Sequence, residues 1–239
     1  MGDRVVRLVL GSGVCLAALA LTPALSAAAG HTYYASETGL DPDACTQEDP
    51  CSAGKAVSMA GDGDAVSLAA GEYLLPFTGL RIESEIDFGA QPGAMAVLRT
   101  KPVANVHVTV EADATLHDIR LQGQGNLQLG SGIAERVFVA FKGLAGDACE
   151  LDKGTTLRDS VCWTQETNEE EEGVSHGLAI ESGNEGQDEP VVLRNVTAIA
   201  SNAAGDGIYA EGASGAKLTV DAANVIAHSE GATDIVAER

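Results

Sequence analysis

Three arginines sit beside residues that share a local pattern. Arg120 follows Asp118 in TLHDIRL (115–121), Arg158 precedes Asp159 in TLRDSVC (156–162), and Arg194 precedes Asn195 in VVLRNVT (191–197). Acid beside base along a strand is one arrangement for β-elimination on an acidic sugar polymer. Carboxylates hold a calcium ion, and an unprotonated Arg or Lys removes the proton. The same alternation also builds a surface ion-pair ladder, the reading preferred here. Asp206, in Gly205-Asp206-Gly207-Ile208, offers one carboxylate, whereas glycoside hydrolysis needs two at a set separation. Asp-Gly is also a turn dipeptide. Residues 173–177 (GVSHG) match G-x-S-x-G, but a nucleophile elbow needs a strand before the serine and a helix after it. Here an acidic loop precedes and a strand pattern follows. His31, His107, His117, His176 and His228 show no metal spacing, and Asp62-Gly63-Asp64 completes no calcium loop. Asp118, Arg120, Arg158, Asp159 and Asp206 are therefore the catalytic candidates, none of them assigned. No cofactor is expected, except calcium should the chain be a lyase.

The elements that would position these residues repeat. Residues 191–211 (VVLRNVTAIASNAAGDGIYAE) return in worn form at 224–238 (NVIAHSEGATDIVAE), and weaker echoes lie at 115–121 and 156–162. Self-similarity at about 25–40 residues marks a solenoid. Asp118, Asp159, Asn195 and Asn224 align within these echoes. In a parallel solenoid such residues stack on successive turns, and stacked amides hydrogen-bond along the rod. Asn195 and Asn224 are thus expected as ladder or turn residues, and the aspartates as solvated turn residues. Residues 106–110 (VHVTV) alternate with period two, placing three valines on one face. A β-sandwich is the rival fold.

Composition narrows the class. The 239-residue chain has 28 Gly, few aromatics and a formal charge of -21. Short strands with tight turns fit this better than a helical bundle. The charge repels phosphate backbones and anionic membranes, which excludes nucleic acid as a partner. Residues 1–29 read as a secretory signal: Arg4 and Arg7, an apolar stretch, Pro23, then Ser26-Ala27-Ala28-Ala29. No span of a membrane is expected in the mature chain. Four cysteines follow, Cys45, Cys51, Cys149 and Cys162, and an even count in a secreted chain implies disulfides. Of the three pairings, Cys45–Cys51 with Cys149–Cys162 is expected, because each closes a short loop within one unit. Their spacings lack the close pairs of zinc sites.

After the signal the order is HTYYAS (31–36), a cysteine loop, Pro50-Cys51, a short helical stretch at 52–60 with Ser52 as N-cap, then GDGDAVSL (61–68) and Gly71-Glu72-Tyr73. This resembles the first turn of secreted bacterial right-handed parallel β-helix repeat proteins, which share the pectate-lyase-like fold. The resemblance implies an all-β chain, a right-handed parallel β-helix solenoid whose short N-terminal helix caps the open end. Terminal caps are a physical need of repeat proteins. β-Helical pectin-type glycosidases carry an aspartate followed by Gly and an aliphatic residue, as at Asp206, but also an Asp-Asp pair, which is lacking here, and an Arg-x-Lys, which occurs here only as Arg99-Thr100-Lys101, far before Asp206.

The expected organisation is a signal at 1–29, a cysteine loop and capping helix at 30–64, and β-helix repeats at 65–239, roughly seven turns. The stretch 165–173 (QETNEEEEG) is expected to be a solvated loop. No capping pattern closes the last repeat, so the chain is expected to be truncated there and to self-associate through that end. The functional expectation is a secreted or cell-surface binding module, non-catalytic, with a polysaccharide as ligand. A polysaccharide lyase or glycoside hydrolase acting on an acidic polysaccharide is the alternative.

Overall fold

The computed structural model describes residues 30–100, 106–142, 146–165, 174–181, 189–201, 204–212 and 217–238. The expected signal at 1–29 and all but Gln165 of the acidic stretch 165–173 lie outside the described residues.

Short strands recur in threes. β1 (Thr32–Ala35) and α1 (Ala53–Met59) open the chain. The first full turn carries β2 (Ala65–Leu68), β3 (Gly71–Leu74) and β4 (Leu80–Ile82). The second carries β5 (Asp87–Ala90), β6 (Ala96–Arg99) and β7 (Val106–Val110). The third carries β8 (Thr115–His117), β9 (Ile119–Gly123) and β10 (Gly125–Leu129), and the fourth β11 (Ile133–Glu135), β12 (Phe138–Phe141) and β13 (Cys149–Asp152). In the fifth and sixth turns the first two strands merge, giving β14 (Thr156–Gln165) with β15 (Leu178–Glu181), then β16 (Val191–Ser201) with β17 (Ile208–Glu211). β18 (Val220–Ala223), β19 (Ile226–Ser229) and β20 (Ile235–Glu238) form the seventh.

All strand pairings are parallel and join each turn to the next. A 13-stranded sheet holds the first and second tracks, and a 7-stranded sheet holds the third. The protein is therefore all-β with stacked parallel sheets, an order compatible with a parallel β-solenoid. The alternation of residues 106–110 is seen directly: Val106, Val108 and Val110 are buried and His107 and Thr109 lie outward. Inward positions fill one continuous core, including Leu68, Phe88, Leu98, Leu116, Leu121, Leu129, Leu151 and Leu157. Each such side chain stabilises the fold by about 1.5–3 kcal/mol on burial.

The corner between the first and second tracks is tight. From the third turn onward it is made by one residue in left-handed conformation: Asp118, Arg136, Asp159, Asn195 and Asn224, with φ of 56°, 52°, 52°, 54° and 56°. Asp and Asn tolerate this region, because their short polar side chains bond locally. The stretch 115–121 is thus two strands broken at Asp118, not one. β5 (DFGA) and β11 (IAE) are too short to show a period in the sequence.

α1 lies against β1, β2 and β4 at the N-terminal end. Ser52 Oγ accepts from Lys55 N at 3.1 Å, and Ala53 and Ala56 are buried. Small residues on that face let the helix lie close to the strands. At the other end β18–β20 bury less: Val220 and Ile235 are exposed, although they stand in register with the buried Val191 and Ile208. Disulfides join Cys45 to Cys51 and Cys149 to Cys162, an arrangement consistent with an extracellular setting. Among the described residues no helix is long and apolar enough to cross a membrane.

Candidate functional site

The left-handed corner gathers most of the candidates from the sequence. Asn224 Nδ2 donates to Asn195 Oδ1 at 2.9 Å, and Asn195 Nδ2 donates to Asp159 Oδ1 at 2.7 Å. Asp118 and Asp159 are not adjacent, because Arg136 stands between them in the column. Its Nε and Nη2 donate to the two oxygens of Asp118 at 2.7 and 2.8 Å. Asp118 is therefore an ion-paired residue, not the free solvated one expected. The Arg136 guanidinium holds its carboxyl down at about 2, with His117 adding to the effect. Glu135 binds Arg136 at 2.5 Å and also pairs with Arg158. Burial raises the pKa of Glu135, but the two guanidinium groups outweigh it and leave it below the usual carboxylate value. His117 bridges Asp87 (3.0 Å) and Asp118 (2.8 Å), and its ring lies where a side chain on Gly89 would stand.

The three arginines do not share one face. Arg158 and Arg194 are register partners on the first track. Arg120 follows the corner residue, so the chain has already turned and places it on the second track opposite Phe138. Arg136 was missed altogether. Arg136-Val137 echoes Asn195-Val196 and Asn224-Val225, and that pattern was the available signal.

Asp206 and His176 meet across adjacent turns at the corner before the third track. The backbone N–H of Asp206 donates to His176 Nδ1 at 3.0 Å, so a neutral His176 carries its proton on Nε2. Burial lowers the His176 pKa, opposed by the nearby Asp206, and the ring stacks on Tyr209. The Asp206 carboxylate accepts from Thr233 N at 3.0 Å. One turn earlier, Asp147 accepts from His176 N at 2.7 Å. Burial pushes Asp147 up to about 6, with Glu150 adding to the rise. These carboxylates hold turn to turn. Ser175 is 5 % exposed, which leaves G-x-S-x-G without an accessible nucleophile.

Two outward faces carry concentrated side-chain chemistry. On the third track Asp152, Glu181 and Glu211 stack in register on consecutive turns, with Glu150 one column away. Burial and neighbouring carboxylates raise the pKa values of Asp152 and Glu181. Among the described residues no group of three or more His, Cys, Asp or Glu is placed to hold a metal ion.

The second face is a groove of about 430 Å³ on the outward side of the second track. Register places Arg99, Gln122, Ala140 and Trp163 in one column over four turns. Ala140 is the low point of that column. Arg120 and Phe138 line one side, with the Arg120 guanidinium 5.4 Å from the Phe138 ring centre. Lys142 and Gln165 line the other. Trp163, the sole tryptophan, is half-buried, and its Nε1 donates to Ser201 Oγ at 3.0 Å. Thr100, also at the groove, has a buried Oγ1 without a hydrogen-bond partner among the described residues. Of these residues only Arg120 was a sequence candidate. The others are scattered along the chain, and only the register brings them together.

A larger cleft of about 630 Å³ lies beside α1, lined by Leu74, Pro76 and Phe77 with Glu37 and Asp41. It sits at the capped end and crosses few repeats, so the second-track groove is the better candidate for an extended ligand.

No protein-family model matches this chain, no curated protein matches its sequence, and no solved structure matches its fold.

Proposed function

We propose that the chain is a secreted right-handed parallel β-helix that binds a carbohydrate chain in the second-track groove without transforming it. The groove carries this reading. Trp163 and Phe138 offer ring faces of the kind sugar rings lie on, and Gln122 and Gln165 offer amides that both donate and accept. Right-handedness rests on the resemblance of residues 31–73 to β-helix first turns and on the general hand of parallel crossovers. Secretion rests on residues 1–29 and the disulfides. Self-association through the edges of β18–β20 belongs to the same proposal, and a clean monomer by light scattering at all concentrations would count against it.

The lyase or hydrolase alternative needs acids, or an acid and a base, converging on one cleft. Asp118 and Asp159 lie in the corner column, Arg158 pairs with Glu135, and Asp206 accepts a backbone N–H. Of the five candidates, Arg120 alone faces the groove.

The test uses the mature protein and a panel of neutral and acidic polysaccharides, with calcium and with chelator. Binding by co-sedimentation without unsaturated products or new reducing ends is the expected result. New product of either kind overturns the non-catalytic reading, and its chemistry separates lyase from hydrolase.

A further inference from the structure

The groove is cationic in a chain that is otherwise strongly acidic. The whole sequence has 14 Lys and Arg against 35 Asp and Glu. Yet Arg99, Arg120 and Lys142, from three successive turns, converge on this one groove. The three are not equivalent. Arg99 Nε is paired with Glu72 Oε2 at 3.2 Å, one turn back. No ion pair joins Arg120 or Lys142 to a described residue; Arg120 lies over the Phe138 ring instead. Stacking leaves the edge of a guanidinium, with its N–H donors, free to meet an anion. Glu72 and Arg99 are both more than half exposed, and such a pair is weak and readily exchanged for a better anion.

Resting on the carbohydrate reading, we infer that the groove is an anion clamp for a negatively charged sugar chain, with Arg120 and Lys142 unengaged by any described acid and Arg99 held in reserve by Glu72. The ligand approaches a cationic patch amid negative surface, so its charge is drawn to the groove and repelled from the Asp152–Glu181–Glu211 face. When a carboxylate or sulfate of the chain reaches Arg99, Glu72 is displaced. Glu72 is thus a competitor built into the site: it sets the threshold of anionic charge that a ligand must carry to engage all three cations.

The experiment measures binding of three soluble probes to the full chain: a sulfated polysaccharide, a carboxylated one, and a neutral one of similar length, each at low and high salt. The charged probes are expected to bind at least tenfold more tightly than the neutral one at low salt, with the gap closing as salt rises. Their ranking distinguishes sulfate from carboxylate as the preferred group. The double variant Arg120→Gln/Lys142→Gln is expected to lose most of that preference, weakening the charged probes at least several-fold more than the neutral one. Glu72→Gln is expected to tighten the charged probes by about two- to fivefold. Glu211→Gln, which removes the same charge from the far face, is expected to leave them unchanged.

Equal tightening by Glu72→Gln and Glu211→Gln would show a global charge effect and overturn the reserve role of Glu72. Equal binding of neutral and charged probes overturns the clamp but leaves the carbohydrate reading standing. Binding of no probe, with folding verified by circular dichroism, overturns both.

Discussion

The outward face of β10, β13, β15 and β17 and that of β6, β9, β12 and the second half of β14 are built by one rule. Each turn adds one residue to each column, at a spacing of about 4.8 Å. On the third track the rule stacks Asp152, Glu181 and Glu211, and no Lys or Arg among the described residues pairs with them. Two to three turns toward the N-terminus the same track solves the problem differently, with Arg81 held between Glu83 at 2.6 Å and Glu111 at 2.5 Å. On the second track the rule stacks Arg99, Gln122, Ala140 and Trp163, so unlike side chains follow one another and leave a hollow over Ala140. A repeating lattice magnifies whatever it repeats. Like charges become a strain on the fold, and alternating sizes become a recess.

The two faces meet at the Cys149–Cys162 disulfide, which ties β13 on the third track to β14 on the second. Replacing both cysteines with serine should cost about 2–4 kcal/mol in urea unfolding. A loss confined to a few tenths would mean that the turns hold the faces together unaided.

Protonation should separate the two regions by sign. Asp147, near the acidic face, has its pKa raised from 3.8 to about 6. The folded state then binds more protons than the unfolded one between these values, so its contribution is full below about pH 4 and lost as pH rises through 6. Asp118, in the corner column, has its pKa lowered to about 2. Its contribution is present above about pH 4 and lost as pH falls through 2. Stability should therefore peak at mildly acidic pH. Asp147→Asn, which keeps the acceptor for His176 N, should remove about 2–3 kcal/mol of the decline between pH 4 and 7 and leave the acid limb intact. A profile that rises steadily from pH 4 to 7 would contradict this.

Asn195→Ala should cost about 1–2 kcal/mol, from two lost side-chain bonds and a left-handed backbone that alanine disfavours. Asn195→Gly should cost less, since it removes the bonds but not the conformation. The smallest effect is expected on the acidic column: Glu181→Gln should stabilise the fold at pH 7 by a few tenths of a kcal/mol, read from the urea midpoint.

The corner column was the most legible part of the chain. Asp118, Asp159, Asn195 and Asn224 aligned because a left-handed corner accepts few residue types, and the sequence had to repeat them. Arg136 escaped notice because bonds to Asp118 and Glu135 satisfy it at a position where its type is uncommon. The helix after Ser52 was legible from its cap and its small apolar face. The groove was not. Its members lie far apart in sequence, on outward positions where no period selects them, and turns of unequal length conceal which residues stand in register. Ala140, whose contribution is its small size, leaves no mark in a sequence at all.

The turns differ in length most at one place. Between the second and third tracks the connection is Gln124 alone in one turn and the whole stretch 166–177 in another, yet the strands on either side keep their pairing. The left-handed corner, by contrast, stays short throughout the later turns. Lys142 and Gln165 stand at the lengthening connection, on the rim of the groove. Chain can therefore be added or removed beside the groove while the column of Asn and Asp that aligns the turns is untouched. One edge of the fold thus takes up differences in length, and the other holds the turns in step.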